Sequence, residues 1–342
     1  MNPRELKKSR EAQVHSRCQT LFERTAHPLK RRVAMLNRKM IFAAVLSILV
    51  SAVAAGADWK NVGPGVDYQE FRGDNYDVHV TRVDLTNDDI QVISTRESEK
   101  GLKVSDFAKR EHALVAINGD YFDERFNPVG MTVGPCGQWD SVKKIRREGY
   151  VAVGGSKARI AKQSDVSLDA DPEEWMEATV SGWPALIVSC KPVTPLPGSA
   201  SFTLATHPRT AVGLSKDRET LYLVVADGRR TGVPGLTLPQ LAAFMSEKLH
   251  ACAAINLDGG GSSAMWVSDR IVNRPADGVE RPVGDHLAVV LRSDFAACDD
   301  DIEKAAKAKT TAPMSSGTTT VITTTTTTTN TTTTSTAPPP KR

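Results

Sequence analysis

An α+β fold, a mixed and mainly antiparallel sheet with packed helices in a single domain, is what three features of the sequence predict. Short β-branched runs outnumber amphipathic helical stretches, neighbouring runs are mostly joined by short turns, and one helix opens on a capping signature. No self-similarity at a period of roughly 20–50 residues is present, which sets solenoids and propellers aside.

Along the chain, the alternation Tyr76, Val78, Val80 predicts a strand, and Ile90 to Ile93 a second. Ser105 is placed to cap a short helix running to His112, which leads into a buried strand from Ala113 to Ile117. Thr210 to Leu214 and Leu221 to Ala226 flank the polar run Ser215-Lys216-Asp217-Arg218-Glu219 and predict a hairpin. Thr237-x-x-Gln240 is a capping box, with Pro239 tolerated in the first turn. The helix it starts puts Leu241, Phe244, Met245 and Leu249 on one face. A strand Ala253 to Leu257, a glycine loop, and strands Ser263 to Val267 and His286 to Arg292 complete the reading.

The chain has 342 residues, with 43 Lys+Arg against 40 Asp+Glu, a formal net charge of +3 that is unevenly spread. Residues 1–39 hold eleven Lys/Arg and three Asp/Glu and run into the apolar stretch Met40 to Val53, which ends in small residues. That order is the pattern of a secretory signal, with cleavage expected before Asp58. The alternative is a signal-anchor, which would make the membrane a partner only through this uncleaved segment. Residues 299–342 become a Thr-rich and Pro-rich tract with almost nothing to bury, expected to be a disordered tail. The expected organisation is thus a leader at 1–57, a folded domain at 58–298 and a tail at 299–342, in a protein that is secreted or periplasmic. Without the leader, 32 Lys+Arg face 37 Asp+Glu and no basic stripe remains, which argues against nucleic acid as a partner.

Cys136, Cys190, Cys252 and Cys298 remain after cleavage, and an oxidising compartment allows them two disulfides in any of three pairings. The other reading makes Cys252 a small buried hydrophobe. No Cys-x-x-Cys spacing is present, so no zinc or redox site is read.

Five segments carry chemistry. In Asn256-Leu257-Asp258-Gly259-Gly260-Gly261-Ser262-Ser263 an acid at a strand end meets three glycines and two hydroxyls, where backbone N–H groups can converge on an anion. It is neither a Walker loop, a dinucleotide fingerprint nor a nucleophile elbow. In Asn118-Gly119-Asp120 an amide and a carboxylate leave a strand together. Arg209, opening a strand after His207-Pro208, could pair a phosphate bidentately. Asp227-Gly228-Arg229 follows the next strand, and Asn273-Arg274-Pro275 with Arg281-Pro282-Val283 comes last. Each alone has an ordinary reading, as a glycine turn, an Asn-Gly turn or a surface arginine.

Together, and in this order, these segments resemble the phosphodiester glycosidase family over about residues 70–292. The resemblance implies hydrolysis of a sugar-1-phosphodiester, with a phosphoglycan or sugar-phosphodiester as partner. The family often has Gly-Gly where this chain has Gly119-Asp120, so Asp120 is not carried over as catalytic by the resemblance.

The chemistry of such a bond requires little general-acid help, because an acidic phosphate is a good leaving group. It requires a carboxylate and local positive potential. Asp258 is the first candidate for the carboxylate, with Asp120 and Asp227 as further catalytic candidates. Arg209 is the expected phosphate clamp, with Arg229 and Arg281 in reserve, and Gly259, Gly260, Gly261, Ser262 and Ser263 are expected to supply donors. Asn118 and Asn256 are expected at the substrate, with Asp227 also able to bind sugar hydroxyls. No cofactor is expected; a Ca²⁺ shared by Asp258, Asp227 and Asp120 is the alternative. The rival reading of the whole protein is a non-catalytic carbohydrate-binding or exopolysaccharide-assembly component.

Overall fold

A computed structural model describes residues 59–142, 149–165, 171–295 and 298. The expected leader and the expected tail lie outside these residues. Among the described residues three sheets hold the strands, one of eight and two of five, and every strand pairing is antiparallel. Among the described residues the α-helices are Val104–Arg110, Ala200–Thr203 and Leu238–Lys248. The fold is therefore richer in sheet than the expected α+β balance, and among the described residues no parallel pair makes the sheet mixed. The shortfall lies between residues 129 and 192, where strands of two to six residues are broken by glycine and proline and show too little alternation to read.

The predicted hairpin is present, Arg209–Leu214 pairing with Thr220–Ala226, and Ala211 to Leu214 pair on the other side with Ala253–Asn256. Alternation assigns the two faces. Val212, Leu214, Leu223 and Ile255 point into a core shared with Val151 and Val180 of the second sheet and Ile117, Met265 and Leu287 of the third. Ala211, Val224 and Ala254 face the other way, under Leu241 and Met245 of the long helix. A β-carbon on Gly213 would lie 2.8 Å from Met245 Cε, so a side chain there would displace the end of Met245.

The capping box of that helix forms as expected: the Gln240 N–H donates to Thr237 Oγ1, and the Thr237 N–H to Gln240 Oε1. The earlier helix differs. Its cap residue is Lys103, not Ser105, and it ends at Arg110 rather than His112. Ser105 lies inside the first turn, where its free N–H donates to Glu280 Oε1 at 2.9 Å, so a distant carboxylate does the capping.

This topology places the site. In the first sheet Arg209 opens a strand at the same end where Ala226 and Asn256 close theirs. In the third sheet Asn118 closes a strand opposite His286, which opens one. The two sheets share a core, and these strand ends meet.

Candidate active site

Asp258 follows the strand Ala253–Asn256 and is gripped on both sides by the turn after Val115–Asn118. Its N–H donates to the Gly119 carbonyl at 3.1 Å, and its own carbonyl accepts from Asn118 Nδ2 at 2.7 Å. The Asp258 side chain keeps partial solvent access while sitting deep among protein atoms. Burial pushes its carboxyl up to about 6, against the opposing pull of the Ser262 hydroxyl, the Gly259 N–H and the Arg281 charge.

The glycine loop is not the expected anion cradle. The Gly259 N–H caps Asp258 Oδ1 at 2.9 Å, the Gly260 N–H donates to the Pro208 carbonyl, and the Ser262 and Ser263 N–H groups close a 3₁₀ turn onto Gly259 and Gly260. The loop thus uses most of its donors on its own acid and its own fold. Close approach to backbone occurs at Gly259, where a β-carbon would lie 2.9 Å from the Pro208 carbonyl oxygen. The Arg281 side chain, paired with Asp277, fills the space a β-carbon on Gly261 would need, and Arg229 Nη2 lies 3.0 Å from that position on Gly260, whose φ is +63°.

Arg209 is buried, and its guanidinium is tied to three backbone carbonyls: Nε to Leu236 at 3.0 Å, and Nη2 to Phe202 at 2.8 Å and Ala205 at 2.9 Å. It lies over the Phe202 ring, itself stacked on Trp183. No carboxylate pairs with it among the described residues, and burial pushes it down to about 10. A desolvated cation held by dipoles alone is poised for an anion. Arg229, exposed and close enough to depress Arg209 further, is also without an ion pair among the described residues.

Two expected substrate contacts are corrected. Asn118 is fully buried, and its amide is spent on Asp258, Thr210 Oγ1 and the Ala264 N–H, so it fixes the loop rather than meeting a sugar. Asn256 is also buried; its Nδ2 donates to Tyr121 Oη and to the Trp183 and Leu257 carbonyls, while its Oδ1 has no hydrogen-bond partner among the described residues. Ser263 is likewise internal, its hydroxyl paired with Thr210 Oγ1 at 3.1 Å.

Asp227 belongs to a separate network. Its Oδ2 meets Arg230 at 2.8 Å, with His79 Nε2 3.8 Å away, and its Oδ1 accepts from Asn273 Nδ2 and the Arg274 N–H. These partners outweigh burial and hold its carboxyl below the usual range. It braces the loop that carries Asn273, which in turn binds the Ser263 carbonyl. Among the described residues no group of three or more His, Cys, Asp or Glu is placed to hold a metal ion.

Asp120 is buried and accepts from the Ser181 N–H and from Thr132 Oγ1 at 2.8 Å. Beside it lies a carboxylate that the sequence reading missed, Asp285, which is fully buried and accepts the Asp120 N–H at 2.7 Å. The signal was there, since Gly284-Asp285 before the strand His286–Leu291 is another acid at a strand end.

The cysteines pair as Cys136–Cys298 and Cys190–Cys252. A cleft of about 250 Å³ beside Cys190, Cys252, Lys162 and Lys216 opens at the other end of the first sheet, and none of the candidate site residues lines it. Among the described residues no helix is long and apolar enough to cross a membrane.

A family model described as phosphodiester glycosidase matches residues 111–290. An uncharacterized SPbeta prophage-derived protein, YomE, of Bacillus subtilis (strain 168) is 28% identical over 197 residues, covering 56% of this chain and 30% of that protein. The chain therefore spans under a third of that relative's length. In fold, the chain is similar to the catalytic domain of zebrafish N-acetylglucosamine-1-phosphodiester alpha-N-acetylglucosaminidase, auto-inhibited by its pro-peptide. That match has a TM-score of 0.57 and 21% identity, covering 67% of this chain and 85% of that one. A Burkholderia pseudomallei K96243 protein described as exported matches with a TM-score of 0.50 and 19% identity, covering 63% of this chain and 74% of that one.

Proposed function

The chain belongs to the phosphodiester glycosidase family, and on that premise we propose that it is an exported glycosidase that hydrolyses a sugar-1-phosphodiester to free sugar and a phosphomonoester. The observation that carries this reading is the pairing of chemistries at one set of strand ends. A deep carboxyl raised to about 6 opens a glycine loop that packs against two arginines, Arg209 at Gly259 and Arg229 at Gly260, both without carboxylate partners among the described residues. Asp258 supplies the carboxylate that acts at the anomeric carbon or on the water attacking it. Arg209, with Arg229 at the rim, holds the phosphate and takes up the charge it gains as the C–O bond breaks. Water adds across that bond, its hydroxyl going to the sugar and its proton to the departing phosphate. The leaving oxygen is that of an acidic phosphate, so no strong general acid is demanded of the site.

The reading extends to the whole chain: residues 1–57 direct export, 58–298 form the working domain, and 299–342 act as a spacer. Two disulfides favour an oxidising compartment, and with it a secreted or periplasmic location. Incubating the exported protein with a panel of sugar-1-phosphodiesters and measuring free sugar tests the activity. Saturable glycan binding without turnover of any panel member would favour a carbohydrate-binding role instead.

A further inference from the structure

The Asp285 carboxyl has no part in the chemistry above, yet it underlies the turn on which Asp258 rests. Its main-chain carbonyl accepts the Gly119 N–H at 2.9 Å, and its Oδ1 accepts the Asp120 N–H at 2.7 Å. Oδ1 also fills the space where a β-carbon on Gly119 would stand, so the Asn118-Gly119-Asp120 turn is moulded around it. That same turn grips both peptide groups of Asp258. Asp285 is fully buried; among the described residues no donor reaches its Oδ2, and the side chain it meets directly is a second carboxyl, that of Asp120. The titratable groups facing it are Asp120, from the turn itself, and Asp258, from the end of the neighbouring strand.

An ionised carboxylate in that setting would carry a bare buried oxygen next to a second negative charge, a costly arrangement that a proton removes. We propose that Asp285 is a positioning residue that works as a neutral carboxylic acid: protonated, it locks the turn that seats Asp258 and keeps a further negative charge away from the incoming phosphate. Burial, reinforced by the Asp258 charge, pushes its carboxyl up to about 7, in line with this geometry. The proposal rests on the phosphodiester reading for its consequence in catalysis, but not for the protonation state itself.

Infrared titration of the full chain separates the two. A carboxylic-acid C=O band that persists to about pH 6, bleaches above about 7 and vanishes in Asp285→Asn supports the assignment, whatever substrate the protein takes. A band unchanged in that variant overturns it. With an active sugar-1-phosphodiester in hand, wild-type kcat/KM should fall by up to about tenfold per pH unit above the Asp285 midpoint through a rising KM. Asp285→Asn, isosteric and always neutral, should remove that limb while keeping most of kcat. Loss of kcat at every pH in Asp285→Asn, as deep as in Asp285→Ala, overturns the positioning role. If Asp285→Asn does not fold, the ¹³C carboxyl shift of Asp285 in the wild-type chain decides: a midpoint near 7 supports the proposal, and an ionised shift throughout overturns it.

Discussion

Asn118 donates its side-chain amide to the main-chain carbonyl of Asp258 at 2.7 Å, joining the end of a strand in one sheet to the end of a strand in another. A motif that reads in sequence as a sugar contact is, in the fold, the brace of the candidate carboxylate. Replacement of Asn118 by Asp therefore acts at one remove. It would set a carboxylate against the Asp258 carbonyl and add negative charge beside it.

Asp258→Asn should abolish release of sugar from a sugar-1-phosphodiester, with a loss of about 10²–10⁴-fold in kcat, the usual scale for removing a positioned carboxylate. Its circular dichroism and melting temperature should stay close to wild type, since Asn can still accept the Gly259 N–H. In the wild type, kcat/KM should rise with pH through a midpoint near 6 as Asp258 ionises. Retained turnover in the variant removes Asp258 from the mechanism.

Arg209→Lys keeps the charge but not the fork that reaches three carbonyls. It should raise KM for a phosphodiester by about tenfold, matching the loss of about one charge-assisted bond. Stability should also fall, by about 1–3 kcal/mol for each buried acceptor left bare. Arg229→Ala, at an exposed position, should weaken substrate binding without a shift in melting temperature. Equal KM values in all three proteins would show that neither arginine meets the phosphate.

These two arginines show how far the sequence was legible. The strand Arg209–Leu214, its hairpin partner and the capped helix were readable because alternation and capping are local signals. Asp258, Arg209 and Arg229 were each readable as residues at the ends of strands, and the loop after Asp258 packs against both arginines. What local signals could not give is direction. Whether a glycine loop turns its N–H groups outward or onto its own acid depends on Pro208 and Arg281, distant in sequence. Asp285 escaped for a related reason, since its role exists only where Gly119 and Asp120 fold over it. The short strands between 129 and 192 are specified by pairing and not by pattern.

Asp285 makes a stability prediction whose sign follows from its shift. Its folded carboxyl is raised from 3.8 to about 7, so the stability it confers is fully present below about 3.8 and is lost as pH rises through about 7. His286, pushed down to about 3 by burial, works in the opposite direction between there and its ordinary 6.5. Comparing wild type with Asp285→Asn cancels the histidine. Relative to the variant, the wild type should lose on the order of 2–4 kcal/mol between pH ~4 and pH ~8. A difference independent of pH, measured by urea unfolding, would mean that Asp285 keeps its ordinary titration in the fold.

Asp227→Asn separates a brace from a catalyst. Asp227 pairs with Arg230 and accepts from Asn273 and the Arg274 N–H, so its removal leaves a partly buried arginine with Asp77 as its remaining carboxylate. Breaking a buried ion pair by deleting one partner costs about 3–5 kcal/mol, and Asp77, at 2.9 Å from Arg230, should hold the loss toward the lower end. Because Asp227 is held below the usual carboxylate range, the wild-type contribution is present above about pH 4 and is lost as pH falls through its folded value. The variant should therefore melt earlier at neutral pH and converge on wild type in acid. Turnover per folded molecule, measured well below the variant's melting temperature, should stay within about threefold of wild type, since the link to the Ser263 loop runs through Asn273 and survives. A drop comparable to that of Asp258→Asn, without a change in melting temperature, would instead return Asp227 to the reacting centre.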